Sequence, residues 1–237
     1  MQVRIYKDAA TVAKAAAVVF ADEITKKDGC VIGLATGSTP VPTYQEMIRM
    51  NKEGILDFSK VRSFNLDEYI GLSPEHVCSY RRFMNEQLFD HINIDKANTH
   101  VPDGLKCNTA EYEEMIHQAG GVDLQLLGIG TDGHIGFNEP ADEFVYPTNV
   151  VKLTEGTRKD NARFFNSLDE VPTSAISMGI GTIMSARRIL MIITGKNKAD
   201  TVVAALKGPV VPQMPASILR MHQNVLVLLD EDAASKL

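Results

Sequence analysis

The sequence contains no tryptophan, only three cysteines and no run of basic residues longer than a pair. Each absence excludes something. Cys30, Cys78 and Cys107 are odd in number, far apart and free of any C-x-x-C spacing, so neither a disulfide framework nor a zinc site is indicated. A reducing, cytoplasmic compartment is expected. The net charge of −6, with basic residues scattered as pairs such as Arg81-Arg82 and Arg187-Arg188, speaks against nucleic acid and anionic membranes as partners. No apolar run approaches the ~20 residues of a membrane span. The segment AAAVVFA, residues 15 to 21, looks like a signal core, but Val12, Ala16, Val19, Phe20 and Ile24 share one helical face and Asp22-Glu23 follow at once. No Gly-Lys-Ser/Thr follows a glycine loop, and no G-x-S-x-G elbow is present, so neither a Walker A site nor a serine-hydrolase triad is expected.

What is present is an ordinary globular composition, 44% hydrophobic and 23% charged over 237 residues, without linker or repeat. One domain, residues 1 to 237, is expected. Strand and helix signals alternate. A short strand QVRIY precedes a helix over 8 to 27, and CVIGLAT (30 to 36) is the near-continuous apolar run of a strand covered on both faces. Then come a helix over 41 to 53, the strand VRSFNL (61 to 66), helices near 79 to 91 and over 109 to 118, and the strand VDLQLLGI (122 to 129). Asn108 with Glu111 gives the helix at 109 a capping-box start. After residue 140 the pattern weakens to a strand TNVVKL and a helix over about 155 to 166. It recovers in AISMGI, RILMIIT (188 to 194), a helix over 197 to 206 and NVLVLLD (224 to 230). The expectation is an α/β fold: a Rossmann-like three-layer α/β/α sandwich with a mostly parallel central sheet. Residues 141 to 173, which interrupt the alternation directly after a polar loop, are the candidate lid.

Open α/β sheets bind ligands beyond the carboxyl ends of their strands. Three such ends carry polar residues. In ATGSTPVP, Gly37 permits a tight turn, Thr39 can cap, and Pro40 and Pro42 suit the first helical turn. The loop therefore reads either as a phosphate cradle of backbone N–H groups and hydroxyls or as a well-capped helix. In NLDEYIG, Asp67 and Glu68 sit where a strand leaves the core, so one of them can face a ligand; surface carboxylates are the plainer alternative. In GIGTDGHIGFNEP, Gly128, Gly130 and Gly133 match G-x-G-x-x-G, but Gly136 and Pro140 argue against the helix a dinucleotide turn requires, and no acid ends the next strand. What remains is Asp132, His134 and Glu139. Positions two apart on extended backbone share a face, so Asp132 can orient and charge His134, and Pro140 leaves Glu139 free to fold back towards the same ring. That is an acid/base relay, unless His134 is only a satisfied turn histidine. With one histidine and no second ligand motif, a metal is not expected. The remaining histidines are isolated and read as surface or capping residues, and Cys30 as packing.

Taken together, GLATGSTP, FNLDEYIGL with SYRRFM, GIGTDGHIGFNEP, TRKDNARFF, GIGTIMSA and GKNKA resemble the glucosamine-6-phosphate deaminase (glucosamine-6-phosphate isomerase) family, in order and over nearly the whole chain. The resemblance implies conversion of glucosamine 6-phosphate and water to fructose 6-phosphate and ammonium, in amino-sugar catabolism, with no metal or redox cofactor. It implies Asp67 as the base that moves a proton between C2 and C1, and His134, with Asp132 and Glu139, as the group that opens the pyranose ring. It places phosphate on Gly37, Ser38 and Thr39, with Arg163 and Lys198 supplying charge. Two departures stand out from the large allosteric hexamers of that family. The chain stops soon after NVLVLLDEDAASKL, and where those members carry a serine and two basic residues that grip an effector, this one has Asp142, Asn149 and Val151. A monomer or small homo-oligomer is expected, without activation by N-acetylglucosamine 6-phosphate. Two rivals are weighed. The 6-phosphogluconolactonases have a T-A-S-L-F-P-like run where this chain has IGFNEP, and Glu139 would have no role in them. A sugar-phosphate-sensing regulator domain needs a helix-turn-helix, whereas this chain begins on its first strand and keeps its acid/base residues.

Overall fold

In the computed structural model, which describes the backbone of residues 1–237 and every side chain except those of Asp160 and Arg163, the apolar runs become strands of one parallel sheet. In chain order the elements are β1 (Gln2–Tyr6), α1 (Ala9–Lys26), β2 (Val31–Leu34), α2 (Val41–Lys52), β3 (Arg62–Asn65), β4 (Asp67–Tyr69), α3 (Tyr80–Gln87), β5 (Thr99–His100), α4 (Thr109–Gln118), β6 (Leu124–Leu127), β7 (Asn149–Lys152), α5 (Glu155–Asn161), β8 (Ser174–Ser177), α6 (Ile180–Met184), β9 (Arg188–Ile193), α7 (Ala199–Lys207) and β10 (Val225–Asp230). Seven strands form the central sheet in the order β1-β10-β9-β6-β2-β3-β5, every neighbouring pair parallel. Helices cover both faces, as a sheet whose inner strands are buried throughout requires.

From β2 the chain winds outward to β3 and β5, then returns to the other side of β2 with β6. The loops leaving β2 and β6 therefore diverge and open a crevice at their carboxyl ends. A second sheet, antiparallel in the order β4-β8-β7, stands beside it.

Several expected boundaries shift. The helix near 79 to 91 stops at Gln87, because Leu88 leaves helical geometry (φ −146°, ψ −58°), and continues as a 3-10 turn Phe89–His91. The helix over 155 to 166 ends at Asn161 and gives way to a 3-10 turn Ala162–Phe164. Of the run AISMGI, Ala175, Ile176 and Ser177 are strand, Met178 and Gly179 connect, and Ile180 opens α6. Within the segment 141 to 173, β7 pairs with β8 along four residues.

Candidate active site

A cavity of about 730 Å³ lies at the carboxyl ends of β2, β6 and β9, and residues of all three strand-end loops line it. Its floor on one side is the turn after β2. Gly37 takes φ +96°, a left-handed conformation open to glycine at no steric cost. Thr39 does not cap α2, whose N-cap is Pro40, without a side-chain hydrogen bond; the expected capping role is not observed. Pro40 and Pro42 carry no N–H, so Val41 and Thr43 hold the backbone donors of this uncapped turn, and a helix N-terminus favours an anion. Gly37, Ser38 and Thr39 all line the cavity.

Of the two adjacent carboxylates, β4 sends them to different places. Asp67 lines the cavity, is 6% exposed, and has no described hydrogen-bond donor. Burial, with a smaller contribution from the charge of Glu68, raises its pKa to about 8. Glu68 faces away and accepts the N–H groups of Tyr69, Tyr80 and Arg81, each at 2.9 Å, so it anchors the start of α3. Tyr69 returns to the cavity side, where its ring packs against Tyr80, Phe137 and Phe165 and its hydroxyl accepts from that of Tyr80 at 3.2 Å. This aromatic wall was not anticipated from the sequence.

The glycine loop after β6 supplies the imidazole. His134 Nδ1 lies 2.7 Å from Asp132 Oδ1, and the backbone N–H of His134 donates to the same oxygen at 3.2 Å. The ring nitrogen has no other described hydrogen-bond partner, so Asp132 is its nearest polar neighbour. Burial alone would raise the pKa of Asp132, but the bonds and charge offered by His134 outweigh it and hold the group below its usual value. Gly130 makes this pair fit. A Cβ there would lie 2.3 Å from the His134 ring and 2.5 Å from Asp132 Oδ1. The loop is fixed from behind by β8: Phe137 N–H donates to Ser177 Oγ at 3.1 Å, and Asn138 Nδ2 donates to Met178 O at 2.8 Å. Ser177 is also the register partner of Asp67, so one strand positions both the carboxyl and the imidazole.

Glu139 is elsewhere. Its described partners are Thr154 and Thr157, at the start of α5, and the expected return to His134 is not among its described contacts. Pro140 keeps it out of a helix as foreseen, but the side chain is drawn to the donors of α5. Lys198 lines the cavity and donates to Ile129 O at 2.8 Å, joining its segment to the glycine loop. The side chain of Arg163 lies outside the described residues. Among the described residues no group of three or more potential metal ligands is gathered, and no helix is long and apolar enough to cross a membrane.

A family model for glucosamine-6-phosphate isomerases/6-phosphogluconolactonase matches residues 7–228. A glucosamine-6-phosphate deaminase of Shewanella woodyi is 52% identical, covering 100% of this chain and 91% of that protein, and one of Clostridium perfringens is 51% identical with full coverage of both. A solved monomeric glucosamine-6-phosphate deaminase superposes with a TM-score of 0.97 at 43% identity, over 100% of both chains. The 6-phosphogluconolactonase of Thermotoga maritima shares the fold, with a TM-score of 0.75 over 97% of this chain and 99% of its own, at 20% identity. The chain belongs to the glucosamine-6-phosphate isomerase/6-phosphogluconolactonase family and falls with its deaminase members.

Proposed function

We propose that this protein converts glucosamine 6-phosphate and water to fructose 6-phosphate and ammonium. The observation that carries the reading is Asp67, a buried carboxyl with no hydrogen-bond donor among the described residues, facing the same cavity as the Asp132-paired His134. Two acid/base groups at one site are what the chemistry requires. The C2 proton becomes removable only after the ring opens and C1 becomes a carbonyl. His134 shuttles the proton between the anomeric hydroxyl and the ring oxygen, with Asp132 stabilising its charged form. Asp67 then takes the proton from C2 and returns it to C1 through an enolamine. The resulting imine at C2 adds water and expels the nitrogen as ammonium.

A base must be ionised, and burial opposes that in Asp67. The ammonium group at C2 of the substrate supplies the missing counter-charge, so binding itself turns Asp67 into the base. Phosphate rests on the N–H groups and hydroxyls of Gly37, Ser38 and Thr39, with Lys198 and Arg163 as cations. The enzyme acts as a monomer or small homo-oligomer in the cytoplasm on this small sugar phosphate, without metal or redox cofactor. Residues 141 to 173 serve as its lid. Purified protein incubated with glucosamine 6-phosphate releases ammonium and fructose 6-phosphate in equal amounts; absence of both products refutes the proposal.

A further inference from the structure

The first turn of α5 is capped twice. Thr154 is its N-cap, and the Thr154 hydroxyl accepts the N–H of Thr157 at 3.2 Å, which is what a cap does. The hydroxyl of Thr157 is not needed for that task, yet it is committed: it accepts from Thr154 Oγ1 at 3.2 Å and donates to Glu139 Oε1. Glu139 also receives the backbone N–H of Thr154, at 3.3 Å and 3.2 Å to its two oxygens, and is within 3.3 Å of the Thr154 hydroxyl. Glu139 lies five residues after His134, on the loop that β8 holds in place. Thr157 is 6% exposed and lines the cavity, and so do Asn161 and Phe165 further along the same segment.

We propose that Thr157 is a positioning residue for the reaction proposed above. Its hydroxyl fastens the α5 wall of the cavity to the histidine loop through Glu139, so the surface that receives the sugar is held in register with the group that opens its ring. Valine fills the same volume and would pack as threonine does. Only the hydroxyl distinguishes them, and that hydroxyl is directed to a carboxylate eighteen positions earlier in the chain.

The test compares Thr157→Val and Thr157→Ser with the unaltered protein by amide hydrogen exchange and steady-state kinetics. A hydrogen bond to a charged group shifts an opening equilibrium about tenfold or more. Thr157→Val is therefore expected to speed exchange over residues 155–161 about tenfold and to raise KM for glucosamine 6-phosphate by a similar factor, with a smaller change in kcat. Thr157→Ser restores both. The proposal is overturned if Thr157→Val leaves exchange and KM unchanged, if exchange rises throughout the chain rather than in this segment, or if Thr157→Ser is as impaired as the valine variant. The exchange measurement needs no turnover. A chain that failed to deaminate would end the functional reading while leaving the Thr157 tie open to direct test.

Discussion

Replacing Asp67 by asparagine should remove turnover and at the same time make the protein more stable near neutral pH. Both consequences come from one displaced titration. The folded-state pKa of Asp67 is about 8 against an ordinary 3.8, so between those values the native chain holds a proton that the unfolded chain has released. Stability then falls as pH rises, at about 1.36 kcal/mol per pH unit. From pH 5 to pH 7 the loss from this one group is about 2.7 kcal/mol. In a chain of this size that is roughly 5–10 °C in Tm. Asparagine keeps the shape and carries no such proton, so the stability difference between variant and parent grows in favour of the variant by that amount over the interval. Thermal or urea unfolding of both proteins at pH 5, 6, 7 and 8 measures it, and subtracting the two curves cancels every other titrating group. The kinetics follow the same titration. Loss of the base should lower kcat by about 10²–10⁴-fold. In the parent, kcat/KM should rise with pH towards 8, while the limb for kcat lies lower because the substrate cation has already ionised the carboxyl. Parallel stability curves for parent and variant would refute the placement of Asp67 as an uncompensated buried acid, and near-normal turnover would remove it as the base.

Three further outcomes are expected. His134→Gln should impair turnover of the cyclic substrate far more than that of an open-chain analogue, and equal losses on both would exclude a ring-opening role. Gly130→Ala, whose Cβ would fall 2.3 Å from the imidazole, should displace His134 and cost about tenfold or more in kcat, with Tm nearly unchanged because the crowded atoms are side-chain ends on a partly exposed loop; an unaffected kcat would show that the loop relaxes freely. N-acetylglucosamine 6-phosphate should not activate the enzyme. Val151 packs against the small apolar cluster of Tyr69, Phe137, Leu153 and Ala175, and Asn149 Nδ2 is engaged with Pro147 O, so neither offers charge to a phosphate; a sigmoidal substrate curve made hyperbolic by this effector would overturn that expectation.

The inner strands of the large sheet were legible because burial on both faces leaves uninterrupted apolar runs such as VIGL and LVLL, whereas the two-residue edge strand β5 was not expected. The strand-end loops that carry Gly37, Asp67 and His134 were legible as candidates for the crevice from their place after such runs, whereas Lys198 was expected there only through the family resemblance and would otherwise read as solvated. In the small sheet β7 and β8 were expected from TNVVKL and AISMGI, but β4 was hidden. β4 is Asp-Glu-Tyr, three residues without an apolar period, and it is a strand only because β8 offers it a ladder. Glu68 was indistinguishable from Asp67 until α3 supplied three N–H groups to it. Glu139 was assigned to the nearest histidine in sequence, whereas its partners lie fifteen and eighteen positions away. Thr157 carried no signal at all, since a threonine in a short helix announces nothing about a distant carboxylate. Local period and capping rules read contacts within a few residues; these assignments depended on contacts across the fold.

The two neighbouring acids of β4 have a consequence for how this protein tolerates change. Because alternate residues of a strand face opposite ways, exchanging the two acids in place, Asp67→Glu together with Glu68→Asp, would leave an acid at each post but swap their occupants. The longer glutamate would enter the cavity, and the shorter aspartate would meet the helix N-terminus. Composition would be untouched and the carboxylate count preserved, yet reach and protonation would both be wrong. Substitution scans that treat Asp67 and Glu68 one at a time would never sample that failure, whereas the double exchange does so directly.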